Sequence, residues 1–181
     1  MKPAPYTRTA IVLHALMALL IFAGFALGWV MTRIALSPLQ LRLYSYHKWA
    51  GVTVAALLVL RLAWRAACPP PPLPPTVPAW EAAAANAGHW LLYLLMAAVP
   101  VSGWLMSSAL GFTTVYLGRW PLPDLVGRDQ ALGELLVAVH RVLNYALLAA
   151  VVLHVAAALK HQFVDRDGIL GRMFRFGSSP R

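Results

Sequence analysis

The chain has 181 residues, of which 60% are hydrophobic and 12% charged. A soluble domain carries about twice that charged fraction, so the composition reads as one integral membrane domain. The formal charge of +9 sits at the ends of apolar runs, not on one polar face, which suits lipid headgroups and argues against nucleic acid as a partner.

The first apolar run covers residues 10–31, preceded by Lys2 and Arg8 and carrying His14 near its start. It is longer than the roughly 7–15 residues of a signal-peptide core, and no small-x-small cleavage site follows, so it is expected to stay as the first membrane span. Ser37-Pro38-Leu39-Gln40 then reads as a helix start. Ser37 can cap, Pro38 suits the first helical position, and Gln40 stands where a capping box places its reciprocal acceptor. The second helix is expected to run to residue 67 and to cross the membrane over 42–67. His47 lies ten residues past the cap, Gly51 one turn further, and Arg61 and Arg65 close the helix one turn apart.

Residues 69–78, Pro-Pro-Pro-Pro-Leu-Pro-Pro-Thr-Val-Pro, predict an extended polyproline connector. The single cysteine, Cys68, stands just before it and reads as a spectator thiol. One cysteine permits no internal disulfide, and the absence of Cys-x-x-Cys-His excludes covalent haem attachment by that motif. A third span is expected over 88–110, with His89 at its start and a kink at Pro100 and Gly103. Residues 111–128 are expected to be irregular and to cover one mouth of the bundle. Asp129 can cap a fourth helix reaching about residue 163, with 134–160 in the membrane. Residues 165–181 read as a basic tail, interfacial or disordered.

Four spans put both termini on one side. With the termini inside, nine of the fifteen basic residues fall on the cytoplasmic side and six outside, which favours cytoplasmic termini. The expected fold is all-α: a transmembrane up-and-down four-helix bundle.

The histidines carry the chemistry. His140 and His154 are fourteen residues apart on the fourth helix. That is close to four turns, so both rings leave one face roughly 21 Å apart, within a hydrocarbon layer about 30 Å thick. In an up-and-down bundle His14 falls at the inner level of His154, and His47 at the outer level of His140. Each pair joins two helices, which is how bundle cores build cofactor sites. Ionisable side chains at this depth need a reason, and two haem irons, each held by two imidazoles, supply one. A six-coordinate iron leaves no position for oxygen and is suited to electron transfer. Small residues one turn from the ligands (Ala18, Gly51, Ala158) leave room for a flat macrocycle. Arg8, Arg61 and Arg65 inside, and Arg42, Lys48 and Arg141 outside, are candidate partners for the haem propionates. Arg61 fits that role and snorkelling to headgroups equally well, while Arg65 leans to the headgroups. The plainer alternative for each histidine is a hydrogen bond across helices. Zinc or copper would need thiolates or carboxylates beside these four rings, which the sequence does not place there.

In chain order, His14, His47-Lys48-Trp49-Ala50-Gly51, Arg61-Leu62-x-x-Arg65 followed by prolines, Gly88-His89, Pro100-Val101-x-Gly103, and His140 with His154 resemble the bacterial di-haem cytochrome b561 family. More distantly they resemble the haem-carrying membrane subunits of formate dehydrogenases and nickel–iron hydrogenases. The resemblance covers nearly the whole chain and implies two haem b groups ligated by His14 with His154 and His47 with His140. It also implies ubiquinone as electron partner, and in some members the oxidation of superoxide coupled to ubiquinone reduction. The resemblance places the chain in a bacterial inner membrane. His161, two turns beyond His154, and His89, expected at a similar inner level, are the candidates to bound a quinone pocket, with headgroup-facing interfacial histidines as the plainer alternative; the resemblance favours His161 at the quinone. Six outer basic residues would draw a small anion such as superoxide, or equally an acidic protein donor. The alternatives are a haem-carrying anchor of a larger dehydrogenase or hydrogenase complex, and a haem-free histidine-lined proton or metal transporter.

Overall fold

Long apolar stretches of Leu, Val, Ala and Met close every backbone hydrogen bond within one segment, which is what hydrocarbon demands. The computed structural model describes residues 5–174 and contains four such helices: α1 (Arg8–Met31), α2 (Pro38–Ala67), α3 (Ala79–Ala109) and α4 (Gln130–Lys160). Each is long and apolar enough to cross a membrane. A two-stranded antiparallel hairpin, β1 (Val115–Tyr116) with β2 (Trp120–Pro121), stands between α3 and α4. A π-helical turn, His161–Asp165, extends α4, and a short α5 (Gly171–Phe174) follows.

The helix starts are set by side chains. Thr7 Oγ1 accepts from the Ala10 amide (3.3 Å), Ser37 Oγ from the Gln40 amide (3.2 Å) and Asp129 Oδ1 from the Leu132 amide (3.1 Å), each satisfying a donor the first turn leaves orphaned. The capping box expected at Ser37 is only half made. Gln40 Nε2 instead donates to the carbonyls of Met31 (2.9 Å) and Ile34 (3.0 Å), which ties the end of α1 to the start of α2. Helix α3 begins at Ala79, nine residues before the expected position, because 79-Ala-Trp-Glu-Ala-Ala-Ala-Ala-Asn is a strong helix former outside the bilayer as well as in it. It continues through Pro100. The connector is extended over 69–74 but turns at 75–76, with the Val77 amide on the Pro74 carbonyl.

Contacts between helices fix the topology. The late part of α1 meets the early part of α2, where Gly24 and Gly28 face His47. Arg65, late in α2, lies over the rings of Trp90 and Tyr93, early in α3. Lys160, at the end of α4, pairs with Glu81 at the start of α3. Successive helices therefore run antiparallel, and the fold is the up-and-down bundle. Met17, Val54, Leu58, Tyr93, Met96 and Leu147 form the buried centre. Only 11% of the most apolar stretch is buried within the protein in α1, α2 and α4, against 33% in α3, so α3 is the most enclosed helix and the other three turn most of their surface to lipid.

Close packing is uneven. Helix α1 packs on α2, α2 on α3 and α3 on α4, but among the described residues α4 packs closely on neither α1 nor α2. The gap between them is where the histidines of the fourth helix point.

The described part of the segment after α4 packs back onto the proline connector. Arg172 is 2% exposed. Its guanidinium donates to the carbonyls of Pro71 (2.9 Å) and Pro72 (3.1 Å) and lies 5.5 Å from the Tyr6 ring. Polyproline carbonyls have no intrasegment partners, so they are free to accept that fork. Lys2, Arg175 and Arg181, counted above with the inner basic residues, lie outside the described residues.

Gly133 of α4 is buried, and a Cβ there would stand 2.4 Å from Leu110 Cδ2 and 2.8 Å from its Cγ. Gly133→Ala should destabilise the protein by about 1–3 kcal/mol through overpacking, read as a lowered thermal midpoint in detergent.

Candidate functional site

Two cross-helix histidine pairs occupy the gap beside α4. At the level nearer the connection between α3 and α4, outer on the expected orientation, His47 (α2) and His140 (α4) face each other with ring centroids 6.3 Å apart and planes at 89°. At the inner level His14 (α1) and His154 (α4) stand at 6.2 Å and 78°. The buried apolar centre lies between the two levels.

Each outer ring is fixed by a neighbouring helix. His47 Nδ1 lies 3.0 Å from the Gly24 carbonyl of α1. His140 Nδ1 lies 3.1 Å from the Val99 carbonyl and 2.9 Å from Ser102 Oγ, both of α3. A carbonyl oxygen only accepts, so each Nδ1 carries the proton and each neutral ring keeps its Nε2 lone pair. Second partners of this kind orient metal-binding imidazoles and raise their basicity. One glycine eases the approach. A Cβ on Gly103 would lie 3.0 Å from His140 Cε1, tighter than ordinary contact, whereas one on Gly28 would meet His47 Cε1 at 3.4 Å without crowding it. An apolar cavity with about 1220 Å³ of empty space borders both rings, with Gly24, Phe25, Gly51, Val99 and Gly103 in its walls.

Segment 111–123 roofs this cavity. Lys48 Nζ donates to the Phe112 carbonyl (3.0 Å), Trp49 Nε1 to the Val115 carbonyl (2.8 Å) and Trp104 Nε1 to the Pro123 carbonyl (3.1 Å). The Tyr116 and Thr53 hydroxyls are 3.0 Å apart, and Ser107 Oγ also donates to the Phe112 carbonyl. The loop expected to be irregular thus carries a latched hairpin, turned by Leu117 (φ 52°) and Gly118 (φ 69°). Of the outer cations named from sequence, Lys48 lines the cavity, whereas Arg42 and Arg141 are exposed and outside its lining.

The inner end is built differently. Neither His14 nor His154 has a hydrogen bond among the described residues. His89 (α3) packs against His154 with ring centroids 5.5 Å apart. Arg61 (α2) lies close enough for its charge to act on His14, His89 and His154. Its Nη1 is buried without an acceptor, and a buried charged donor in that state is costly. Arg61 and Arg65 open onto a pocket with about 690 Å³ of empty space, walled by Tyr6, Thr7, Trp64, Pro70 and Tyr93. Arg8 is exposed at the start of α1.

His161 stands apart from both pairs. Its Nδ1 is 2.6 Å from Asp167 Oδ2 and 3.2 Å from Asp165 Oδ2. Lys160 Nζ bridges Asp165 (2.8 Å) and Glu81 (2.9 Å). At His161 the π-helical turn and the bend after it fold two aspartates back onto the ring.

The paired rings suit an intervening iron. Two imidazoles bonded in line to one metal, each through a nitrogen at about 2 Å, place their ring centroids roughly 6.3 Å apart. Both pairs match that span, and the 5.5 Å between His89 and His154 is too short for it. The unpaired Arg61 Nη1 fits an anionic group such as a propionate.

Comparison with known proteins gives the same direction. Residues 5–176 match the family model described as prokaryotic cytochrome b561. Over 179 residues the chain is 35% identical to cytochrome b561 homolog 2 of Escherichia coli (strain K12), covering 98% of this chain and 95% of that relative. It is 29% identical over 150 residues to the probable superoxide oxidase CybB of Yersinia pestis, covering 77% and 85%. It is 28% identical over 175 residues to cytochrome b561 homolog 1 of the same E. coli strain, covering 93% and 96%.

The indole of Trp49 is a latch of the roof that a conservative change removes. Trp49→Phe should cost about 0.5–1.5 kcal/mol locally and speed amide hydrogen exchange across residues 115–121, with α2 and α3 unaffected.

Proposed function

The chain belongs to the prokaryotic cytochrome b561 family, a multi-pass bacterial membrane electron-transfer protein carrying b-type haem, and from that premise we propose that it passes electrons from an outer donor to ubiquinone near the inner side. Both termini lie in the cytoplasm, and residues 165–181 belong to that face. Two haems sit in the core, one between His47 and His140 and one between His14 and His154. The single observation that carries this reading is the matched pair of ring separations, 6.3 and 6.2 Å, each between helices that do not otherwise pack closely.

When bound between these rings, b-type haem would supply a one-electron iron couple. The protein supplies the rest. Gly24, Val99 and Ser102 hold the outer rings in the tautomer that leaves Nε2 free. Arg61 gives the inner site its positive charge and an open hydrogen-bond donor. The packed centre of Met17, Leu58, Met96 and Leu147 excludes water between the two levels. The latched roof admits a small donor more readily than a protein surface, which favours superoxide; the name of the Yersinia relative supports the same choice. Two superoxide anions give two O2 and two electrons, and one quinone takes two electrons and two protons to become the quinol. His161 and His89 serve the quinone end as proton-bearing groups.

Substitutions test the pairing. His47→Ala or His140→Ala should halve the haem-to-protein ratio and remove one b-haem component from the reduced spectrum. His14→Ala or His154→Ala should remove the other. His89→Ala should retain both, and its losing the inner component while His14→Ala kept it would reassign that ligand. Stopped-flow mixing of superoxide and a soluble quinone analogue with the purified protein tests the reaction: haem reduction by superoxide followed by reoxidation by quinone is expected. Absence of the first phase would leave the donor as a protein and favour an anchor in a larger complex.

A further inference from the structure

The turn that follows α4 holds a part-buried imidazole–carboxylate contact that the haem reading leaves without a task. His161 Nδ1 and Asp167 Oδ2 are 2.6 Å apart, with side chains 15% and 9% exposed. The other carboxylate oxygen, Oδ1, accepts the Ile169 amide at 3.0 Å, so Asp167 is held from both sides. The backbone is bent to bring this about. Residues 161–165 form a π-helical turn, a feature that recurs at functional sites. Arg166 (φ 52°) and Gly168 (φ 76°) then take left-handed conformations on either side of Asp167. For Arg166 that conformation is unfavourable, and it persists only where surrounding contacts hold it.

The neighbouring charges are accounted for otherwise. Asp165 Oδ2 lies 3.2 Å from the same ring nitrogen, but it accepts Lys160 Nζ at 2.8 Å. Glu81, reaching over from α3, accepts the same ammonium at 2.9 Å. Lys160 therefore bridges Asp165 and Glu81, one positive charge against two negative, and Asp167 makes the shorter contact to the imidazole. A metal ion among Glu81, His161 and Asp165 would have to displace that ammonium.

Resting on the proposed quinone site, we infer that Asp167 is a positioning residue for His161: it holds the proton on Nδ1, so that Nε2 is the atom that takes a proton from the inner aqueous side and gives it to a reduced quinone oxygen. A carboxylate cannot donate, so the short contact fixes the Nδ1–H tautomer of the neutral ring. Protonation at Nε2 creates an imidazolium that Asp167 faces directly. Transfer of that proton to the quinone oxygen returns the ring to its starting state. His161 supplies one of the two protons the two-electron reduction consumes. The arrangement follows the general rule that a base is oriented by a third group.

The experiment compares Asp167→Asn, Asp167→Glu, Asp165→Asn and His161→Ala in the purified full-length haem-loaded protein, with a soluble ubiquinone analogue as acceptor. Unchanged b-haem spectra check that each variant is folded. Asp167→Asn should lower kcat for quinone reduction about 10-fold, leave KM near its original value and raise the solvent deuterium isotope effect, because proton delivery becomes slow. Asp167→Glu should recover most of the rate, and Asp165→Asn should stay near the parent. The 15N spectrum of ring-labelled histidine, with the His161 signals identified by their loss in His161→Ala, should show the Nδ1–H tautomer in the parent and its loss in Asp167→Asn. If His161→Ala slows quinone reduction while Asp167→Asn leaves rate, isotope effect and tautomer unchanged, the role of Asp167 is wrong and the quinone site stands. If His161→Ala itself leaves quinone reduction unchanged, the quinone site is wrong.

Discussion

A ring nitrogen placed in hydrocarbon must find a partner, and much of this bundle is arranged so that each does. Water would satisfy an imidazole at no cost; a lipid chain cannot. At the outer level the protein itself answers half of the demand, through the carbonyls of Gly24 and Val99 and the hydroxyl of Ser102. The partners come from α1 and α3, the two helices that do not carry the rings. Each outer histidine is thus held by a third or fourth helix, and all four helices converge on one level. The other nitrogen of each ring looks into the gap beside α4, which on the proposed reading is closed by iron.

That gap follows from the same demand. If α4 packed on α1 and α2 as closely as it packs on α3, the rings would be squeezed out of the interior. Gly103 shows how finely the space is set, since even a methyl group there would stand 3.0 Å from His140. The inner level leaves its rings without such partners. His14 and His154 make no hydrogen bond among the described residues; His89 packs on the His154 ring, and the Arg61 charge stands near both. The outer rings are therefore tied to the protein, and the inner level carries a cation with an unused donor. Two chemically distinct sites arise from rings of the same kind.

Much of this was legible in the sequence, for physical reasons. Spans of leucine and valine can only be helices in a bilayer, and the fourteen-residue spacing of His140 and His154 survives any uncertainty about helix ends. The caps at Ser37 and Asp129 act locally, and both appear where the residue types place them. What escaped was either marginal or distant. The alanines before Gly88 are helical in water and in lipid alike, so hydrophobicity could not locate the start of α3. Strands of two residues leave no periodicity to detect. The carbonyl of Gly24 has no side-chain signature at all. Asp167 looked like part of a solvated basic tail, and only the left-handed bends at Arg166 and Gly168 bring it back to His161.

The clasp of Arg172 on the polyproline carbonyls has a further consequence for how the molecule is made. Its guanidinium joins the middle connection at Pro71 and Pro72, and its own carbonyl accepts the Tyr6 amide at 3.3 Å. Early, central and late parts of the chain are thereby fastened at one point by a residue that leaves the ribosome after all four spans. Until it is made, the start of the first helix, the proline connector and the turn after the fourth helix lack this common fastening, so the order of synthesis makes it the last of the contacts described here.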